Sequence, residues 1–286
     1  MGSGRGRGAR GGPDHLIGDV RSTCFIGTAG WSIPAVAKSS FVAEGPNLAR
    51  YAERFAAVEI NSSFYRPHKR ETYARWAAST PDGFRFAVKV PKAITHERRL
   101  VDSDDRLTSF LGECAGLGHR LGCLLVQLPP TLALDEAMAN AFFAALRSRY
   151  DGPVAVEPRH ASWFDIAAAR LLARHELSRV AADPARVPEA AEPAGHDGTV
   201  YFRLHGSPQM YRSTYDDAWL DTLAARLRIA GERAAAVWCI FDNTMLGGAT
   251  MNALGMLARM DERVVDNDGA PVEATPRPRP GGGAPR

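Results

Sequence analysis

Charged and polar side chains stand at the ends of several short apolar runs, and their types are those that hold anions and move protons. Lys89 ends FRFAVK, Glu157 and Arg159 follow VAV, and Arg203 and His205 close VYFRLH. Arginine binds carboxylates and phosphates through paired hydrogen bonds, whereas lysine binds them as a point charge. Histidine titrates near neutrality and is the commonest general acid or base. These residue types therefore indicate a site at which an anionic substrate exchanges protons.

The candidate site contains two sets of residues. The predicted catalytic residues are the carboxylates and imidazoles Glu157, His160, His205 and Asp183. The predicted substrate-binding residues are Glu59, Asn61, Tyr65, Lys89, His96, Gln127, Arg159, Arg203, Asp242 and Asn243. So many ionisable groups are costly to bury unless they pair with one another or face a polar ligand. A closed network of ion pairs is the structural alternative, and it predicts that no pocket remains.

The sequence gives little support for a metal or an organic cofactor. Several of these residues could ligate a divalent metal ion, but the cations among them already supply counter-charge. The histidines show neither HxH nor HxxxH spacing, and the chain contains no GxSxG or Walker A motif. We therefore expect no bound cofactor, and keep a divalent metal ion as the alternative.

The elements that must position these residues follow from the hydrophobic pattern. Runs rich in β-branched and aromatic residues alternate with segments of helical period, which is typical of βα units around a parallel sheet. The predicted strands are 23–27, 57–61, 84–90, 123–128, 154–157, 178–183, 199–205 and 236–242. The predicted helices are 47–55, 71–78, 104–117, 135–150, 166–175, 215–230 and 248–260.

The number of these elements favours one α/β domain, a TIM-type (β/α)8 barrel over residues 21–264. Segment 184–198 is rich in Pro, Ala and Glu, so we expect the sixth helix to be reduced or missing. Side chains alternate between the two faces of a strand. The bulky apolar residues of each strand suit the face that packs on the helices, so the alternate residues, which end in a charged side chain, are assigned to the barrel axis. This rule places Lys89 and Glu157 on the axis, and in the sixth strand it places Asp183 there, opposite Val180. The charged ends would then meet at the barrel mouth, where such enzymes have their active sites.

Composition is that of an ordinary globular protein. The 286 residues are 45% apolar and carry a formal charge of +3. The two arginine-bearing ends together carry more positive charge than the net charge of the whole chain, so the body between them is slightly acidic. The charge of the body therefore does not favour DNA binding. Segments 1–20 and 265–286, rich in Gly, Pro and Arg, are predicted to be disordered. Scattered cysteines and the lack of a long apolar run predict a cytoplasmic protein that does not associate with membranes.

Seven segments resemble the YecE-like family, catalogued as domain of unknown function 72. They are GTAGWSIP at 27–34, YAERFAAVEINSSFYRP at 51–67, FRFAVKVPKAITHERRL at 84–100, GCLLVQLPP at 122–130, VAVEPRHASW at 154–163, YFRLHGSP at 201–208 and FDNT at 241–244. The resemblance covers about residues 23–260. It implies a TIM-type barrel and no established activity, and it assigns no catalytic role to any residue.

Three hypotheses follow for the function. The first is an enzyme, a hydrolase, isomerase or lyase, in which Lys89, Arg159 and Arg203 hold a small anionic substrate. In it His205 or His160 would move the proton, with Glu157 or Asp183 as its partner. The second is a nucleic-acid-binding or phosphodiester-processing barrel, which rests on fold analogy alone. The third is a binding or scaffold barrel without catalysis. The sequence does not predict an oligomeric state.

Overall fold

Residues 23–261 are described by the structure, a computed structural model of the chain. The segments predicted to be disordered, 1–20 and 265–286, lie outside these residues. The strands are β1 (Thr23–Thr28), β2 (Ala57–Ile60), β3 (Arg85–Lys89), β4 (Leu121–Gln127), β5 (Val154–Glu157), β6 (Ser178–Arg179), β7 (Ala181–Asp183), β8 (Ala194–Gly195), β9 (Thr199–Leu204) and β10 (Ala236–Phe241). The helices are α1 (Asn47–Ala52), α2 (Arg70–Ala78), α3 (Asp104–Cys114), α4 (Glu136–Arg147), α5 (Ile166–Arg174), α6 (Asp217–Gly231) and α7 (Gly248–Asp261).

The strands occupy eight positions in the cyclic order of a TIM-type fold. One sheet has the order β1-β10-β9-β7 and the other β2-β3-β4-β5-β6-β8, and every pair is parallel except β6 with the short β8. Val180 alone separates β6 from β7, which together form the sixth position. Between β1 and β2 the contact is a single parallel bridge from Ala29 to Glu59, where the Gly30 N–H also donates to the Glu59 carbonyl at 2.9 Å.

Three of the helices begin at an aspartate that caps the first turn. Asp135, Asp165 and Asp216 each accept a hydrogen bond from the backbone N–H three residues further on, at 2.9, 2.7 and 2.8 Å. Such caps satisfy a helix donor that has no partner within the helix. These caps fix the starts of α4, α5 and α6.

No helix in residues 23–261 is long and apolar enough to cross a membrane.

The sixth helix is missing, as the composition of segment 184–198 predicts. A 3₁₀-helix (Pro188–Ala191) and β8 take its place. Arg179 holds this segment against the sheet, because its Nη2 donates to the Glu189 carbonyl at 3.0 Å and its guanidinium lies 5.0 Å from the centre of the Phe164 ring. Arg226 on α6 donates to the Glu192 carboxylate at 3.1 Å from the other side.

The strand side chains divide into two buried layers. One layer fills the barrel interior and consists of Ala57, Ala87, Cys123, Leu125, Ala155, Val180, Tyr201, Trp238 and Ile240. The alternate residues of the same strands, such as Val88, Val156 and Phe202, pack against the helices. This alternation confirms that the set ending in Lys89, Glu157, Arg203 and Asp242 shares its side with the interior.

The assignment made for the sixth strand is wrong. Val180 lies in the interior layer, whereas Ala181 packs in the outer layer, so Asp183 points away from the axis. The assignment assumed that bulky residues face the helices. The alanines of other strands leave interior volume that larger side chains must fill, and Val180 helps to fill it with Trp238.

Candidate functional site

Seven ionisable side chains meet at the carboxyl ends of the strands, and we call them the mouth cluster. They are Glu59, Lys89, Glu157, Arg159, Arg203, His205 and Asp242. They come from β2, β3, β5, β9 and β10 or from the residues directly after them. The cluster therefore joins opposite sides of the barrel.

Arg203 is the centre of the mouth cluster and is fully buried. Its Nη2 and Nε donate to the two carboxylate oxygens of Glu59 at 2.7 and 3.0 Å, and its Nη1 donates to Glu157 Oε2 at 3.1 Å. Nη2 also lies 3.0 Å from Asp242 Oδ2. Burial would lower the pKa of Arg203, but the three carboxylates outweigh it and hold that pKa well above its ordinary value.

The prediction that Arg203 binds the substrate directly is therefore corrected. All three of its nitrogens already contact carboxylates, and none of its surface is accessible. A buried guanidinium with this set of partners positions Glu59, Glu157 and Asp242 instead of meeting a ligand.

His205 lies between two carboxylates. Its Nε2 is 2.9 Å from Glu157 Oε1 and its Nδ1 is 3.0 Å from Asp242 Oδ2. Arg159 Nη2 approaches the same Nε2 at 3.3 Å, and the Tyr211 ring packs edge-on at 5.6 Å between ring centres. Neutral imidazole has one N–H and donates to one carboxylate, whereas imidazolium donates to both. Nε2 is thus placed where it can either accept or donate a proton.

The carboxylates beside His205 are held in the ionised form. Burial raises the pKa of Glu157, but Arg159, Arg203 and His205 together bring it well below its ordinary value. Burial likewise raises the pKa of Asp242, which Arg203 and a hydrogen bond with His205 bring below its ordinary value. Both groups are anionic at neutral pH, and their hydrogen bonds with Nε2 and Nδ1 orient the ring of His205.

Arg159 forms the edge of the cluster towards solvent. Its Nε and Nη2 donate to Glu157 Oε1 at 3.2 and 3.0 Å, and 14% of its side chain is accessible. With Glu157 and His205 it lines a cavity of about 260 Å³, whose wall also includes the half-buried Met210 and the exposed Arg186. A ligand in this cavity would face His205, two arginines and Glu157. A larger cavity, of about 630 Å³, lies between β9 and α6 on the outer face of the sheet, away from the cluster.

Lys89 differs from the other cations of the cluster. Its Nζ donates to Asn61 Oδ1 at 3.1 Å and lies 4.1 Å from the centre of the Phe64 ring, and only 4% of the residue is accessible. Within residues 23–261, no carboxylate forms an ion pair with it. Burial, reinforced by Arg203, lowers its pKa from 10.5 to about 8.

Three further predicted residues lie around the cluster. The His96 ring packs edge-on against Phe64 with 4.9 Å between ring centres, and burial together with Lys89 and Arg159 lowers the pKa of His96. Tyr65 is 68% exposed, and its ring packs edge-on against Phe64, the residue that also contacts Lys89. Gln127 is buried at the end of β4, in register with Glu157 of β5.

The structure places the other predicted residues in local contacts. His160 caps a 3₁₀-helix (Ala161–Trp163) and accepts from the Ser162 N–H at 3.2 Å. Asp183 Oδ1 accepts from the Tyr215 hydroxyl at 2.7 Å. Asn243 is fully buried, and its Nδ2 donates to the Ser213 carbonyl at 2.9 Å and to Asn252 Oδ1 at 2.9 Å. These side chains position the loops of the mouth and do not join the mouth cluster.

Tyr201 is a site residue that the sequence reasoning missed. It is fully buried in the barrel interior, and its hydroxyl donates to Glu59 Oε2 at 2.9 Å. The signal was present, because Tyr201 shares the alternating face of Arg203 and His205. As for a metal, no group of three or more His, Cys, Asp or Glu residues in the described part of the chain is arranged to hold one.

The fold and the site together define a TIM-barrel-like α/β protein with a charged cluster at the carboxyl ends of its strands. Solved structures have the same fold. A DUF72 family protein of Enterococcus faecalis V583 superposes with a TM-score of 0.71 at 22% identity, covering 88% of this chain and 100% of that chain. One from Thermotoga maritima MSB8 gives a TM-score of 0.70 at 24% identity, covering 84% and 99%.

The chain belongs to the family described as "Protein of unknown function DUF72", whose profile matches residues 25–278. It is 34% identical to the UPF0759 protein YecE of Escherichia coli K12 over 141 residues, which is 49% of this chain and about half (50%) of that protein's length. It is 23% identical to the UPF0759 protein YunF of Bacillus subtilis 168 over 267 residues, which is 83% of this chain and 94% of that protein. The family has no assigned function.

Proposed function

We propose that the protein is an enzyme that binds a small anionic substrate beside the mouth cluster and transfers a proton through His205. One observation carries the proposal. Nε2 of His205 lies 2.9 Å from Glu157 Oε1 and 3.3 Å from Arg159 Nη2, at the wall of the 260 Å³ cavity. The cavity favours a ligand site over a closed network of ion pairs.

The proton transfer follows from the hydrogen bonds of His205. With Nδ1–H donating to Asp242, the lone pair of Nε2 faces Glu157 and Arg159, and a proton that it accepts from the substrate is then donated to Glu157 Oε1 as a hydrogen bond. The same Nε2–H can return the proton at a later step. Asp242 and Glu157 position the ring, and His205 is the general acid and base.

The cations around the cavity favour an anionic substrate. Arg159 and Arg186 line it, and Arg203 takes no part because its donors are used by carboxylates. A cavity of about 260 Å³ is smaller than the roughly 300–1,000 Å³ pockets that hold drug-sized ligands. We therefore propose a substrate of few atoms that carries a phosphate or carboxylate group.

A ligand screen followed by an exchange measurement tests the proposal. Small phosphate esters and carboxylic acids are first screened by thermal shift. We expect at least one to stabilise the protein and to lose that effect in Arg159→Gln, while Arg149→Gln, which breaks an exposed pair with Asp104, keeps it. No stabilising compound, or equal stabilisation of Arg159→Gln, would contradict anion binding at this cavity.

The exchange measurement then examines the chemistry. The compound found is incubated in D₂O, and loss of a carbon-bound proton or conversion to product is followed by NMR. His205→Asn should bind the compound with similar affinity but react at least about 100-fold more slowly, since general acid–base catalysis contributes about 10²–10⁴-fold. An unchanged rate in His205→Asn would remove His205 from the mechanism.

A further inference from the structure

We infer that Lys89 is a nucleophilic amine that captures the carbonyl carbon of a substrate as a Schiff base. The inference rests on the proposed function and deepens it, because it names the substrate class as an aldehyde or ketone that also carries an anionic group. It goes beyond the proton transfer assigned to His205.

The amine of Lys89 has no carboxylate partner within residues 23–261. Each carboxylate of the mouth cluster is already bonded to Arg203, and Glu157 also to Arg159. Lys89 instead contacts a neutral amide oxygen, that of Asn61, and the face of the Phe64 ring. An amine held this way is fixed in position without the ion pair that would keep its lone pair protonated.

Burial makes this amine partly neutral under ordinary conditions. Its pKa of about 8 leaves roughly a tenth of it unprotonated at pH 7, against well under a thousandth for an exposed lysine with a pKa of about 10.4. The neutral amine is the form that attacks a carbonyl group.

The use of lysine at this position is itself informative. The 286-residue chain has four lysines, Lys38, Lys69, Lys89 and Lys92, and 31 arginines. The other cations of the mouth cluster are arginines. Arginine is also better suited to buried ion pairs, and it cannot form an imine. Of the four lysines, Lys38 and Lys69 are exposed, and Lys92 is 45% accessible and pairs with Glu97 at 3.1 Å.

The chemical step balances without a further reactant. The Nζ lone pair forms a bond to the carbonyl carbon as the C=O π pair moves onto oxygen, and one amine proton moves from nitrogen to that oxygen to give a carbinolamine. The second amine proton and the hydroxyl then leave together as water, and the imine forms. Burial, with the charges of Lys89 and Arg159, lowers the pKa of His96, which packs against the same Phe64 ring as Lys89 and is the neutral base that carries these protons.

Reductive trapping tests the inference directly. The full chain is incubated at pH 7 with glyoxylate, a minimal aldehyde that carries a carboxylate, and sodium cyanoborohydride, which reduces an imine to a stable carboxymethyl-lysine. Peptide mass spectrometry gives the rate at each of the four lysines. We expect Lys89 to react at least about 10-fold faster than Lys38, Lys69 and Lys92, since far more of its amine is neutral. A rate at Lys89 equal to or below theirs would overturn the inference.

Two variants complete the experiment. Lys89→Arg should fold, as judged by circular dichroism, and lose the fast reaction, while Lys92→Arg, a change on the adjacent loop, should keep it. If anions still stabilise the protein through Arg159 but Lys89 is unreactive, the Schiff base is excluded and the proposed function stands. If Lys89 reacts fast but Arg159→Gln leaves its rate unchanged, the reactive amine stands and the shared anion site is contradicted.

Discussion

Arg203 and Arg159 show how two arginines of one cluster can differ in role. Arg203 has no accessible surface and meets three carboxylates, whereas Arg159 meets one and has an accessible edge. The sequence predicted that both lie at strand ends on the axis side. It could not predict which arginine has all its hydrogen-bond donors occupied by carboxylates. That depends on distances across the barrel between residues more than 100 positions apart, such as Arg203 and Glu59.

Removing Arg203 should therefore affect stability more than any surface arginine does. Arg203→Met leaves Glu59, Glu157 and Asp242 buried without their main counter-charge, so we expect a loss of about 3–5 kcal/mol in the free energy of unfolding. Urea denaturation at pH 7 measures it. The matched change Arg149→Met, at an exposed pair, should cost at most about 1 kcal/mol. Equal losses in the two variants would mean that the mouth cluster does not stabilise the fold.

The depressed pKa of Lys89 predicts a pH dependence of a definite sign. Its pKa falls from 10.5 to about 8 on folding, so between pH 8 and 10 the folded state binds fewer protons than the unfolded state. Stability should rise with pH across this window, by up to about 3 kcal/mol from this group. Burial raises the pKa of Cys24, Cys114, Cys123 and Cys239, and these thiols lower the stability of every variant over the same window. Lys89 is therefore isolated by comparison: between pH 7.5 and pH 10, urea denaturation should show Lys89→Met losing up to about 3 kcal/mol more stability than the protein or the exposed-site control Lys69→Met. An identical pH dependence in Lys89→Met would contradict the depressed pKa.

For the secondary-structure elements, the sequence predicted the positions of the strands but not which side chains of the sixth strand face the barrel interior. Periodicity and turn residues located all eight strand positions, because a parallel sheet needs buried apolar runs between helices. The sixth strand was assigned to the wrong face because RVAAD has one bulky residue, and its direction depends on how much volume the other strands leave in the interior. That volume is a property of the packed barrel and not of the local sequence.

The segment that replaces the sixth helix gives a prediction at the same scale. Arg179 ties the segment to the sheet through the Glu189 carbonyl and covers the Phe164 ring. We expect Arg179→Ala to cost about 1–3 kcal/mol of stability and to increase amide hydrogen exchange in residues 184–198. Arg174→Ala, an exposed change at the end of α5, should leave exchange in that segment unchanged. Unaltered exchange in Arg179→Ala would show that the segment is held by other contacts.

At the scale of the whole molecule, the mouth cluster is a balanced set of charges that the barrel brings together. Glu59, Glu157 and Asp242 are matched in number by Lys89, Arg159 and Arg203, and His205 bridges Glu157 and Asp242. The sequence predicted these residues and their common location from the alternation of side chains along the strands and from the barrel mouth at which the strands end. It could not predict the substrate, because most charged side chains of the cluster pair with one another and therefore do not specify a ligand.

The charge balance predicts that anion binding is coupled to proton uptake. An added anion makes the cluster net negative unless a proton joins it, and the amine of Lys89, with a pKa of about 8, takes up such a proton as the pH falls from 8 to 6. Affinity for the anion found in the thermal-shift screen should therefore be higher at pH 6 than at pH 8. Calorimetry in buffers of different ionisation enthalpy measures the protons taken up. No uptake, or tighter binding at pH 8, would contradict the coupling.

A crystal structure grown with oxalate shows whether the cavity beside the mouth cluster is a ligand site. Oxalate is a small dianion of the size the cavity admits. We expect it to lie against Arg159 within hydrogen-bond distance of Nε2 of His205, with Arg203 still bound to its three carboxylates. A cavity filled by side chains, or oxalate found only at surface positions remote from His205, would contradict it.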